Sequence, residues 1–102
     1  MEQLAPPIFA FSAFVRGKDG SLNDFNVDIF NPRDSGLGDS VCTVSCPLLR
    51  TKPVEIYGVD HEQAFQLAHR YIEINLDAGA LALVDREGVP VTFPKCPPFC
   101  PT

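Results

Sequence analysis

Four cysteines are the residues whose type and spacing most directly suggest chemistry. Cys42, Cys46, Cys96 and Cys100 form two C-x3-C pairs, separated by almost half of the 102-residue chain. Four thiolates in a tetrahedron are the preferred ligand set of structural zinc. One prediction is therefore a single zinc site made from both pairs. A disulfide, between Cys96 and Cys100 or between one tail cysteine and the body, is a second.

A third interpretation of the cysteines follows from the strand pattern around the first pair. Residues four apart on a straight strand are about 13 Å apart, whereas two ligands of one zinc lie within about 4 Å of each other. Free cysteine commonly serves as a small apolar core residue. The sequence thus favours Cys42 and Cys46 as core residues in a protein without a cofactor, with zinc as the alternative.

Two further residues are candidates for a ligand or catalytic pocket. His61 is the first residue of a predicted helix, and an imidazole can act as a general base or a metal ligand. Asn75 is the one polar residue in the middle of the apolar arc of that helix, and a buried amide needs partners. A pocket between sheet and helix near His61 and Asn75 is one hypothesis, and packing roles for both are the simpler alternative. No recognisable catalytic motif is present, so an enzyme is the less favoured class.

The elements that must position these residues are mostly strands. Phe25, Val27 and Ile29 alternate with polar residues, which is typical of a strand with one wet face. Similar patterns predict strands over 8–16, 22–31, 40–48 and 53–57, and a final hairpin over 80–84 and 89–93. The element order is then β-β-β-β-α-β-β. It predicts an α+β fold, an antiparallel sheet with one long helix packed on one face.

The predicted helix has clear boundaries. Asp60 followed by Gln63 is a capping-box pattern, and Gly79 is a stop signal. Residues 94–102 contain four prolines, which exclude helix and sheet there. We therefore predict a single domain over 1–93 and an extended Pro/Cys-rich tail over 94–102.

The charge balance limits the classes of partner. The chain has 8 Lys+Arg against 13 Asp+Glu, a net charge of −5, and its basic residues are scattered. Nucleic-acid binders normally carry a basic stripe, so we expect no nucleic acid and instead a basic protein partner. No apolar stretch reaches the length of a membrane span, and the N-terminus lacks the basic region of a signal peptide. These features predict a cytoplasmic protein without a membrane.

One segment resembles a known pattern. A strand ending in Tyr57-Gly58-Val59-Asp60, followed by a helix with Gln63-Ala64-Phe65-Gln66-Leu67-Ala68, resembles a family of small bacterial domains of unknown function. Cys46-Pro47-Leu48-Leu49 is similar to the C-P-Y segment of some members, although Leu48 stands where an aromatic is preferred. The resemblance covers roughly residues 8–78. It implies a bacterial, stand-alone domain and no particular activity.

These observations together favour a protein-binding module. The small size, the acidic surface and the lack of a catalytic set predict a non-enzymatic protein that masks a basic partner, as immunity proteins and antitoxins do. An apolar sheet face without a covering helix would also need a partner, and a second copy of the chain is one candidate. A zinc- or thiol-dependent protein and a minimal ligand binder or enzyme are the alternatives.

Overall fold

The computed structural model describes residues 6–99 and confirms the predicted α+β fold. One helix packs on an antiparallel sheet whose strand order is β3-β4-β2-β1-β6, with β5 bonded to the other edge of β4. The strands are β1 (Phe9–Arg16), β2 (Leu22–Ile29), β3 (Arg33–Asp34), β4 (Ser40–Ser45), β5 (Val54–Gly58) and β6 (Leu83–Val84), and the helix is α1 (His61–Ala78).

Two short segments differ from the sequence-based prediction. Arg33–Asp34, predicted as part of a loop, pairs with the start of β4 as β3. The connecting turn is tight because Gly36 and Gly38 adopt positive φ angles, which glycine reaches without steric cost. Residues 89–93, predicted as a strand, contribute only the isolated bridge between Val84 and Pro90. The bonds of this bridge are donated by Asp85 N–H to Val89 O and by Val91 N–H to Leu83 O, so Pro90 lies at the non-hydrogen-bonded position, where it needs no N–H.

The core lies between one sheet face and α1. Phe25, Val27 and Ile29 of β2 are buried, as their period-two spacing predicts. Their cross-strand partners on β1 include Phe11 opposite Val27 and Phe9 opposite Ile29. The helix buries one stripe of residues against this face: Ala64, Phe65, Ala68, His69 and Ile72.

The start of the helix is fixed by the predicted cap. The Asp60 carboxylate accepts a hydrogen bond from the Gln63 backbone N–H at 2.8 Å, and the Gln63 side chain accepts one from Val59 N–H at 2.7 Å. Such reciprocal hydrogen bonds give partners to backbone N–H groups at the start of a helix, which have no acceptor within the helix. At the other end Gly79 N–H bonds back to Asn75 O. The predicted bounds of the helix are confirmed.

The chain after β6 packs against the flank of α1. Residues 94–99 contain neither helix nor strand, as their prolines predict. Phe93 stacks on His69 with ring centroids 4.8 Å apart, and Phe99 contacts Phe65 with centroids 5.6 Å apart. The segment therefore runs from the middle of the helix, at His69, back towards its first turns, at Phe65. Residues 100–102 lie outside the described part of the chain.

Candidate functional site

The main candidate site is formed where β4 and α1 begin. Ser40 is the first residue of β4 and pairs with Gly58, the last residue of β5. Only Val59 and Asp60 separate Gly58 from the start of the helix, so His61 returns over the end of the sheet. The Ser40 hydroxyl and the His61 Nδ1 consequently lie 2.6 Å apart and share a hydrogen bond.

Gly58 makes this close return geometrically feasible. A Cβ atom added to Gly58 would lie 2.5 Å from the backbone N and 2.8 Å from the Cα of Ala64. Such distances are far below van der Waals contact, and both atoms belong to the helix backbone. The absence of a side chain at residue 58 therefore lets the first turn of α1 rest directly on β5.

A cavity of about 530 Å³ opens beside the Ser40–His61 contact. It is bordered by the β3–β4 turn, the first turn of α1 and the tail. Among its described lining residues, four are acidic and none is lysine or arginine. We call this cavity the acidic pocket, and its lining is Asp34, Gly38, Asp39, Ser40, Val59, Asp60, His61, Glu62 and Phe99.

The carboxylates of the acidic pocket give it a concentrated negative charge. Arg33, next in sequence to Asp34, is directed elsewhere, because its guanidinium binds Glu55 at 2.6 Å and Thr43 at 3.0 Å. Asp60 and Glu62 lie at the N-terminus of α1, where the helix dipole stabilises negative charge. The acidic pocket thus concentrates carboxylates that no lysine or arginine of its described lining neutralises.

The rim of the acidic pocket is apolar. Leu37, in the β3–β4 turn, is 89 % exposed, and Val59, between β5 and α1, is 73 % exposed. Gly38 and Val59 themselves line the cavity, so both exposed side chains lie at or next to its opening. The cavity therefore combines carboxylates in its lining with exposed apolar side chains at its edge.

The Ser40–His61 contact has the reach of a nucleophile and its base, but its surroundings favour a structural role. Ser40 is only 4 % exposed. Within residues 6–99, no carboxylate oxygen lies within 4 Å of a His61 ring nitrogen to orient the ring. The hydrogen bond ties the start of α1 to β4 and so fixes the shape of the acidic pocket.

The structure does not bring His61 and Asn75 together. They are 14 residues apart on α1, about 21 Å along the helix axis. Asn75 Nδ2 donates to the Tyr71 carbonyl at 2.8 Å, a local bond that satisfies the amide within its own helix. Asn75 is not a lining residue of the acidic pocket.

The cysteines occupy different environments. Cys42 and Cys46 are buried in the core and Cys96 is exposed, while Cys100 lies outside the described residues. The Cys42 thiol donates to the Phe30 carbonyl at 3.2 Å. Burial raises the pKa of this thiol to about 11, and desolvation likewise raises the pKa of Cys46 and Cys96. Each described thiol is therefore a poorer nucleophile at neutral pH than a free cysteine.

The zinc hypothesis needs both tail cysteines, and only one belongs to the described chain. Across residues 6–99, no three side chains of histidine, cysteine, aspartate or glutamate converge as a metal site would require. The four-thiolate site of Cys42, Cys46, Cys96 and Cys100 stays a prediction. So does a disulfide that uses Cys100.

His69 is the buried polar residue that sequence reasoning missed. On a helical wheel it falls at the edge of the polar arc, yet it is 1 % exposed. Its Nε2–H donates to the Pro94 carbonyl at 2.8 Å, and its Nδ1 lies 3.6 Å from the Glu73 carboxylate. Phe9 meets its ring edge-on. The burial comes from the tail packing over it, which no local sequence pattern signals.

The fold and the pocket define a class, a small α+β domain with one helix on an antiparallel sheet and an acidic surface cavity at the start of that helix. No helix in the described part of the chain is long and apolar enough to cross a membrane. No protein-family model matches the chain, and comparison with curated proteins and with solved structures gave no match. The resemblance to a bacterial domain family stays a prediction.

Proposed function

We propose that this protein is a non-enzymatic interaction module that binds a basic segment of a partner protein in the acidic pocket. The observation that carries the proposal is the lining of that cavity, which within residues 6–99 has four carboxylates and no lysine or arginine. A partner arginine could form paired hydrogen bonds with such carboxylates. Its guanidinium could also lie against the ring of Phe99.

The rest of the surface is consistent with this function. A net charge of −5 would steer a basic partner towards the protein and speed its association. The exposed Leu37 and Val59 would add apolar contacts beside the charged ones. Masking of a basic partner in the cytoplasm, in the manner of an immunity protein or an antitoxin, is the physiological role that we propose.

The test compares two matched double variants of the full chain. Asp34→Asn with Glu62→Gln removes two charges from the acidic pocket. Asp24→Asn with Asp28→Asn removes two charges from β2, outside the pocket. Neither Asp34 nor Glu62 forms a side-chain hydrogen bond or ion pair with another described residue, so the fold should tolerate both changes.

The probe is a fluorescein-labelled ten-residue peptide in which arginine alternates with valine, and binding is measured by fluorescence anisotropy. We expect the pocket variant to weaken binding by about tenfold, equivalent to ~1.4 kcal/mol, and the β2 variant to change it little. Added salt should weaken the wild-type complex because the contacts are charged. Equal losses in the two variants would contradict the proposal, since they would show attraction to net charge alone.

A further inference from the structure

The strand next to the acidic pocket, β5, forms an edge of the sheet. Its residues pair with β4 on one side, and within residues 6–99 no other strand bonds to it. Five residues of extended backbone, about 17 Å in length, therefore border open surface. Edge strands of this kind are templates for pairing with another chain.

The register shows which backbone groups face outward. Thr43 of β4 accepts a hydrogen bond from Phe30 N–H at 3.0 Å, so the backbone groups of Thr43 point away from β5. Glu55 is the partner of Thr43 across the ladder. Because outward and inward groups alternate along a strand, the N–H and C=O of Glu55 and Tyr57 both point to the free edge.

The two sides of this edge are chemically different. On the open sheet face, Tyr57 is 52 % exposed and the Glu55 carboxylate is held by Arg33. On the helix side, Ile56 of β5 is a partly buried apolar residue packed against the core. An added strand would thus meet an apolar side chain on one face and polar groups on the other.

We propose that a basic, extended segment of the partner docks on β5 as an additional strand of the sheet. This inference rests on the proposed function and specifies how the partner binds. Charge complementarity selects the occupant, because β5 ends at Gly58 and leads directly into Val59 and Asp60 of the acidic pocket. A strand laid along β5 would carry a lysine or arginine at its end into that cavity.

A second copy of the chain is the competing occupant of the β5 edge. Two copies would each bring a net charge of −5 and a carboxylate-lined cavity next to the shared edge. Their mutual repulsion opposes such pairing, whereas a basic segment is attracted. The same charges therefore favour the basic segment over a homodimer.

The experiment uses the arginine–valine peptide with backbone N-methyl groups at alternate residues. In an added strand, the N–H groups of every second residue point towards β5 and the others point to solvent. Methylation of the N–H groups that point towards β5 should remove the pairing with β5. Methylation of those that point to solvent should leave the pairing intact. The alternating side chains prevent a one-residue slip, because a slip would exchange the arginine and valine faces. We expect one methylated peptide to lose more than tenfold in affinity and the other to bind like the unmethylated peptide.

The outcomes separate this inference from the function on which it rests. If both methylated peptides bind equally and the pocket variant still weakens them, strand addition is overturned and the proposed function stands. If the unmethylated peptide shows no pocket-dependent binding, both are overturned. If sedimentation shows a dimer of the free chain that Tyr57→Pro dissociates, the edge belongs to a second copy, which also overturns the inference.

Discussion

Replacing Gly58 with alanine tests whether close contact between β5 and α1 organises the acidic pocket. The new Cβ would lie 2.5 Å and 2.8 Å from backbone atoms of Ala64, about 1 Å closer than ordinary contact. Backbone atoms cannot rotate away as a side chain can, so the first turn of α1 must shift. Overpacking of this kind typically destabilises by ~1–3 kcal/mol.

We expect the clash in Gly58→Ala to cost about 2 kcal/mol, the middle of that range. Alanine restricts the unfolded chain, which offsets about 0.4–1 kcal/mol of the penalty, so the expected net loss is about 1–1.6 kcal/mol. In a chain of this length that corresponds to a fall in Tm of roughly 4–13 °C. Urea unfolding at constant pH, followed by circular dichroism, measures the free energy directly.

Gly17→Ala is the matched control for Gly58→Ala. The nearest atoms to a Cβ at Gly17 are the ends of flexible side chains, Asp19, Ser21 and Asn23, at 3.1–3.3 Å. They can move aside, so we expect a change within about 0.5 kcal/mol. The Gly58 variant should also shift the imidazole NMR signals of His61, since its hydrogen bond to Ser40 depends on the same turn. A Gly58→Ala protein as stable as the wild type would refute the reasoning.

Two further predictions concern the thiols and the tail. In native protein carrying Cys100→Ser, iodoacetamide at mildly alkaline pH should label Cys96, whereas Cys42 and Cys46 should react only after denaturation, because both are buried and their pKa values are raised. Peptide mass spectrometry reads the labels, and rapid native labelling of Cys42 would contradict its place in the core. His69→Leu removes the N–H that donates to Pro94 O, so it should destabilise the fold by about 1–3 kcal/mol and weaken the NMR cross-peaks between the rings of Phe99 and Phe65. Cross-peaks as strong as those in Arg70→Gln, a variant at an exposed neighbour, would show that His69 does not hold the tail.

The parts of this fold that follow from local pattern were predictable. The alternation of Phe25, Val27 and Ile29 identifies a half-buried strand in any context. Asp60 and Gln63 identify a helix start, because three residues is the spacing at which a capping side chain reaches a backbone N–H. These signals depend only on neighbours in sequence, and the structure confirms each of them.

The candidate site was less predictable because its residues meet through tertiary structure. Ser40 and His61 are 21 residues apart, and their contact depends on the pairing of Ser40 with Gly58. Asp34 reaches the acidic pocket only because a two-residue strand forms where the glycines and polar residues around it indicate a loop. His69 is buried by a tail that returns over the helix. No periodicity within one element contains this information.

The turn from β5 into α1 connects the architecture of this protein to its proposed function. Gly58 lets the helix rest on the strand, and Asp60 caps the helix while lining the acidic pocket. Tyr57 presents its backbone to the free edge of the sheet. One short segment thus positions both the cavity and the edge on which we propose that a partner docks. Leu37 and Glu62, to which the proposed function gives a role in binding, are exposed residues near this turn and can change without altering the fold. Substitution of Leu37 or Glu62 should therefore alter partner choice, whereas substitution of Gly58 should alter stability first.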